Sequence, residues 1–508
     1  MCMRRTLSMP VLVLAIVFAT LVSGPSARAQ MSLASEATTH EAAPSSPQIW
    51  VLPAQGPPGT LVLVQGTGFD PLTEIGIDFD STQVASTSTD KNGAFGNGVV
   101  TATGATFTDL QVLGNAVPGQ HTITAWEPRG QKSAEKSFLV QTDWPQFGFD
   151  VGHTGFNRYE NVVNNTNVQN LVLDWTFATG APVYGDPAVV GGVVYFTSNN
   201  YPDAGLFALN ATTGALLWKN TNGTGTRTPP TVVNGVVYIG QEQPNGGVYA
   251  FNAATGEPLW QYTSMNGAGG AVIADGVLYV GANENLVALN ANTGKFLWSF
   301  GNNEAVQTPA IANGVLYFNS IVFVYPDTYI NTLYALDISS RKLLWQHVWT
   351  GGGALINPPV VVDNAVYFHS YAFDATNGRV LWNSYFDSIP AVAGGTVYVG
   401  SGNSVEALDV NTGTELWSYA TGNAVSSSPA VADGVMYIES EDGNLYAFDT
   451  ASYQTLLWQC KISNGLASAA TVANGLVYIG SQDGNLYAFH LPNMEKAAQG
   501  SPAILNKK

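Results

Sequence analysis

One unit of roughly 40 residues recurs through most of this chain, and a repeat of that length restricts the fold more than any other feature. Its clearest copy reads Pro429–Ile438 (PAVADGVMYI), Asp442–Asp449 (DGNLYAFD) and then Leu457-Trp458. Apolar-Tyr-apolar runs centre on Tyr195, Tyr238, Tyr279, Tyr317, Tyr367, Tyr398, Tyr437 and Tyr478. Tryptophans follow in the same register at Trp175, Trp218, Trp260, Trp298, Trp345, Trp382, Trp417 and Trp458. Short runs with period-2 alternation, broken by turn residues, predict four strands per unit, which is the signature of a propeller blade. Asn234-Gly235, Asp275-Gly276, Asn313-Gly314, Asp433-Gly434 and Asn474-Gly475 read as tight hairpin turns between first and second strands. Asp442-Gly443 and Asp483-Gly484 read the same way between second and third strands.

The chain ends predict how the ring closes. The last unit, through Leu486–Phe489, has no tryptophan after it, whereas Leu173-Asp174-Trp175 is a Trp strand with no partners before it. Pairing the two removes two exposed strand edges. The expected architecture is all-β: an eight-bladed propeller over 144–492, with seven blades as the alternative.

The spacing Ala-x-(Asp/Asn)-x-x-x-Gly-x-x-x-Trp appears at Ala208–Trp218, Ala250–Trp260, Ala288–Trp298, Ala372–Trp382 and Ala407–Trp417. Ala335–Trp345 has Arg341 where glycine belongs, and Ala447–Trp458 carries one extra residue. This motif, with the lead-in Trp144-Pro-Gln-Phe-Gly148 and His153-Thr-Gly155, resembles the pyrroloquinoline quinone (PQQ) repeat family of β-propellers. The resemblance implies that each tryptophan docks on the neighbouring blade, as a packing device. It leaves two functional branches. In quinoprotein alcohol dehydrogenases, PQQ sits on the axis with calcium, an adjacent-cysteine disulfide and an aspartate base. The adjacent cysteines are missing here, since the only cysteines are Cys2 and Cys460, and no calcium-ligand set or base matches residue by residue. The other branch is non-catalytic and includes the lipoprotein of the outer-membrane barrel assembly machinery.

Ahead of the repeats, residues 1–29 read as a secretory signal: Arg4-Arg5, an apolar run Pro10–Val22 and the small-x-small site Ala27-Arg28-Ala29. Its removal takes the net charge from −18 to about −21, and no membrane span is expected afterwards. Residues 30–48 read as a flexible linker, and 493–508 as a tail. Residues 49–141 alternate in period 2 with frequent turns, predicting a β-sandwich, and Gly56–Thr60 with Gly66–Phe69 resembles bacterial immunoglobulin-like modules. The expected location is secreted, either periplasmic or extracellular at the cell surface.

Acidic residues outnumber basic ones 36 to 18, which excludes nucleic acid as a partner. The six histidines show no metal-ligand spacing, and no phosphate loop or Gly-x-Ser-x-Gly elbow occurs. Thr89-Asp-Lys-Asn-Gly93 reads as a plain turn rather than a calcium loop. No catalytic residue is assigned. The fourth unit, however, carries an insertion Ile321–Asn331 with Phe323, Tyr325 and Tyr329, beside a fifth unit that passes almost directly from His369 to Tyr371. Segments between units add Tyr184, Arg227, Gln307, Trp349, Asn357 and Ser427 to the same mouth of the central channel. Either the insertion covers the short unit, or these side chains bind a protein, peptide or glycan. The leading expectation is an exported, non-catalytic binding or scaffold protein. Its rivals are a PQQ-dependent oxidoreductase, with PQQ and calcium as cofactors, and a carbohydrate-binding surface protein.

Overall fold

Hairpin turns explain why the second part of the chain folds locally. At Asn234-Gly235, Asn313-Gly314 and Asn474-Gly475 both residues have positive φ, the geometry that matches the right-handed twist of the strands they join. The Asp442-Gly443 and Asp483-Gly484 turns differ from the expected two-residue type. There only the glycine is left-handed, and the loop is widened by a bond from its N–H to Ser440 or Ser481. The computed structural model describes residues 46–96, 108–199, 204–221, 226–241, 246–301, 304–325, 328–350, 353–452, 455–463, 465 and 468–492. The stretches read from the sequence as a signal and a tail, and nearly all of the one read as a linker, lie outside these.

The described residues between Gln48 and Val140 form two sheets of three and five strands over one core that includes Val62, Ile77, Leu110 and Phe138. Asp90 Oδ1 accepts the amides of Asn92 and Ala94, so the 89–93 segment is an ordinary turn.

After Trp144 the described strands form eight sheets, six of four strands and two of five: the sheet of Val315–Val324 adds the short strand Ala305–Val306, and the sheet of Val435–Glu439 adds Phe156–Asn157 as a parallel edge. The sheets are counted here from the one that begins at Ala188. Neighbouring sheets meet at their innermost strands, and Thr471–Ala473 of the eighth returns to Ala188–Val190 of the first. The eighth sheet is completed from the other end of the chain: Val172–Ala178 pairs antiparallel with Asn485–His490.

A repeated clasp joins sheet to sheet. The Trp indole and the Tyr hydroxyl of one sheet donate to the same backbone carbonyl of the next. Trp218 and Tyr195 share Ala253 O at 2.9 and 3.1 Å, and Trp175 and Tyr478 share Ala211 O at 3.1 and 3.3 Å. The motif glycine lets the indole lie flat on the backbone. A Cβ on Gly256 would sit 2.5 Å from the Trp218 ring, and φ there is +71°. Where Arg341 replaces that glycine it keeps the left-handed backbone (φ 58°) and lays its guanidinium 5.5 Å from the centre of the Trp298 ring.

Candidate functional site

The axis of the ring is threaded by residues 144–157, the lead-in that precedes the first sheet. This strap bonds to the innermost strands one after another. Trp144 exchanges two 2.8 Å backbone bonds with Val189, and Pro145 O accepts Val232 N–H. The carbonyls of Val151, Gly152, Thr154 and Gly155 then accept the N–H groups of Ile311, Val361, Val392 and Val431. Asn157 finishes the circuit, its Nδ2 donating to Val472 O at 2.9 Å. Seven of the eight sheets are thereby tied to one short segment. Gly155 is required by contact as well as by φ, because a Cβ there would meet that of Ala391 at 2.7 Å. His153, 1% exposed, bonds the Pro359 carbonyl through Nδ1 at 3.1 Å, and burial lowers its pKa to about 4.

Against the strap lies an axial cavity of about 310 Å³, with Phe147 in its lining. Seven sheets contribute the residue two places ahead of the innermost strand, Asp186, Pro229, Thr308, Pro358, Ile389, Ser428 and Ala469, and the third contributes Gly270 from within its strand Ala268–Ala274. Asp186 is the one charged member of that ring. Its Oδ1 accepts the Ala469 amide at 2.7 Å, and burial pushes its pKa up to about 7 against that bond. Glu439 also lines the cavity. It is 1% exposed, and among the described residues neither carboxyl oxygen has a hydrogen-bond partner. Its pKa is raised well above the ordinary value, chiefly by desolvation and further by the charge of Asp186; the nearby Ser427 hydroxyl and Ala470 amide oppose the rise.

Sequence reasoning missed both carboxyls, although a signal existed for Glu439. It stands two residues after the sheet's tyrosine, where four other units have Gly240, Gly281, Gly400 and Gly480. Of the residues expected at the mouth, Tyr184 and Ser427 line the cavity. Arg227 is exposed beside them, its guanidinium 4.6 Å from the Tyr184 ring centre. Gln307 and Asn357 adjoin the lining residues Thr308 and Pro358, and Asn357 Nδ2 donates to Asp387 O at 3.3 Å.

The aromatic residues of the fourth unit stand apart from the cavity lining. Strands Val315–Val324, Thr328–Asp337 and Leu343–Thr350 extend well past the four-residue strands of the fifth sheet. Phe323 and Tyr329 face each other across this hairpin at 5.1 Å, and Tyr325 is 87% exposed. Trp349 turns instead onto the fifth sheet, 5.6 Å from Phe368 and 5.8 Å from Phe373, and so covers its short strands.

PQQ is a planar aromatic tricarboxylate, and cations would have to hold it here. Among the described residues the lining carries Asp186, Glu439 and Glu441 and no Lys or Arg. The residues present therefore do not fit that cofactor. Among the described residues, no group of three or more His, Cys, Asp or Glu is placed to hold a metal ion. Cys460 is half-buried with its thiol pKa raised by desolvation, the opposite of an activated nucleophile.

Comparison with known proteins bears on the propeller. Among solved structures, the quinohemoprotein alcohol dehydrogenase of Comamonas testosteroni aligns with TM-score 0.58 at 15% identity, covering 68% of this chain and 80% of that one. A europium-containing methanol dehydrogenase gives 0.56 at 15% identity over 69% and 98%. BamB from Moraxella catarrhalis gives 0.50 at 17% over 63% and 99%. At these identities the likeness is one of fold. By sequence, the outer membrane protein assembly factor BamB of Yersinia pestis is 31% identical over 159 residues, 26% of this chain and 40% of the relative. That of Moranella endobia (strain PCIT) is 28% identical over 25% of this chain and 39% of the relative. The chain thus spans less than half the length of these curated relatives. The family model described as outer membrane protein assembly factor BamB matches three overlapping stretches, 169–266, 244–371 and 369–493, as a repeat should. Those stretches take in more than half of the sequence, and the chain belongs to this family of PQQ-like repeat propellers.

Proposed function

We propose that this chain is an exported, non-catalytic scaffold of the cell envelope whose propeller mouth receives a protein partner. The observation that carries the reading is the set of polar groups in the axial cavity: carboxyls and hydroxyls, with no cationic side chain among the described lining residues to hold a quinone carboxylate. Membership in a family whose relatives are named for assembling outer membrane proteins supports the envelope role. No helix among the described residues is long and apolar enough to cross a membrane. The exposed aromatic hairpin, with Tyr325 at 87% and Phe323 at 54% exposure, offers contact area beside the mouth.

Two measurements test this. PQQ, with and without calcium, is titrated against tryptophan fluorescence, and no saturable quenching is expected up to about 100 μM, a limit weaker than about −5.5 kcal/mol. Saturable quenching with dye reduction by a simple alcohol would overturn the reading. A photo-crosslinking residue at Tyr325 should give a discrete protein adduct in intact cells, and Tyr325→Ala should weaken recovery of that partner. A glycan array addresses the carbohydrate reading, which the same exposed aromatics favour; saturable glycan binding lost in Tyr325→Ala would replace the protein partner.

A further inference from the structure

The two sides of the axial cavity differ in chemistry. One side presents oxygen: Asp186, Ser427, Ser428, Glu439 and Ser468. The other is mainly apolar, with Pro229, Ala271, Pro358 and Ile389 interrupted by Thr231, whose hydroxyl is spent on Ala271 O, and by Thr308; the Phe147 ring belongs to the lining too. Buried polar atoms in folded proteins are nearly always hydrogen-bonded, so an enclosed carboxyl with both oxygens unpartnered calls for a donor from outside the chain. Glu439 is such a group, and Asp186 lies close enough to disfavour a second negative charge on it. A cation carrying several N–H donors relieves both conditions at once. A hard metal ion needs six to eight converging oxygens and gains nothing from an apolar wall. A cation with an alkyl body meets both halves of the cavity, whose volume of about 310 Å³ has room for roughly ten non-hydrogen atoms at about 30 Å³ each.

We propose that the axial cavity binds a primary alkylammonium group, its head between Glu439 and Asp186 and its alkyl chain against Pro358, Ile389 and Phe147. This goes beyond the scaffold reading, since it concerns what the cavity itself holds. The same chemistry comes from two sources, a free alkylamine or a lysine side chain of a polypeptide. The test separates them.

The full chain as purified is titrated calorimetrically with n-pentylammonium, with 1-pentanol as its neutral counterpart, with a capped Ala-Ala-Lys-Ala-Ala peptide and with calcium chloride. Pentylammonium is expected to saturate with a Kd on the order of 0.1 mM, and pentanol to bind at least tenfold more weakly. Glu439→Gln keeps the shape and should weaken binding tenfold or more, with unchanged circular dichroism confirming the fold. Should that variant misfold, Asp186→Asn carries the same expectation. Binding of the free amine alone assigns a small-molecule ligand, and binding of the peptide assigns a lysine side chain. The proposal is overturned by pentanol binding as tightly as pentylammonium, by calcium binding in its place, or by neither ammonium probe binding at about 10 mM.

Discussion

Replacing Trp175 with alanine tests whether the strand Val172–Ala178 closes the ring. The indole is half-buried, lies against Gly214, stands 5.9 Å from the Tyr478 ring and donates to Ala211 O. Truncating a well-packed tryptophan costs about 3–5 kcal/mol, and partial exposure places this site near the lower end, about 3 kcal/mol. The carbonyl it leaves is still served by the Tyr478 hydroxyl, so no orphaned acceptor adds to the cost. For a folding unit of roughly 350 residues, whose unfolding entropy is about 0.7 kcal/mol/K, that loss lowers Tm by about 4 °C. Trp260 is the internal reference. It is likewise half-buried, lies against Gly294, stands 5.8 Å from the Tyr238 ring and donates to Ala291 O at 3.0 Å. Calorimetry on Trp175→Ala and Trp260→Ala should therefore give equal shifts, although one tryptophan lies within a continuous sheet and the other on a strand borrowed from the far end of the chain. A drop of under about 1 °C for Trp175→Ala, beside a full drop for Trp260→Ala, would refute closure by this strand.

Two buried titrating groups make opposite predictions for pH. His153 is held neutral with its pKa lowered to about 4, so the unfolded chain binds a proton that the folded one refuses. Stability contributed there is complete above about pH 6.5 and falls by about 3 kcal/mol as the pH drops to 4; in urea unfolding, His153→Gln should flatten that loss, and an unchanged pH slope would count against the assignment. Asp186 has its pKa raised to about 7, so the folded state keeps a proton that the unfolded state releases. Stability therefore declines as the pH rises from about 4 to 7, by about 1–2 kcal/mol once water access from the cavity is allowed for. Asp186→Asn should gain on the wild type at pH 8 relative to pH 5, and an equal difference at both pH values would remove the effect.

The ring was readable because its joints repeat. A tyrosine and a tryptophan that share one acceptor return once per unit, and the tryptophan keeps its place relative to the motif alanine (Ala208 to Trp218, Ala250 to Trp260) while loops lengthen or shorten elsewhere, so the recurrence shows as a register near 40 residues. The turns were readable because left-handed backbone leaves Asn-Gly and Asp-Gly in the chain. The strap was not, because it bonds almost wholly through main-chain groups, which any side chain supplies. Only the lead-in's likeness to a family hinted at it. The acidic pair was hidden for another reason. Asp186 and Glu439 lie in different units far apart in sequence, and each alone looks like a strand-end carboxylate.

In a ring built from similar units, specific function must reside where the similarity is broken, and here the breaks are of two kinds. Some are repaired within the chain. Arg341 displaces a docking glycine yet lays its own charge over Trp298, and the fifth sheet lacks length yet is covered by Trp349. Such repairs account fully for the residues involved, and no ligand needs to be invoked for them. Glu439 is of the other kind. It introduces an ionisable carboxyl where four units keep glycine, at a depth where desolvation is costly, and both its oxygens are left unpartnered among the described residues. Natural sequences tolerate such a local conflict mainly where function requires it. The strap reaches the innermost strands of seven sheets across the same axis, so a ligand for this carboxyl has to come from the side the strap leaves open. Arg227 and Tyr184 stand there, and that places recognition at the mouth rather than along a through-channel.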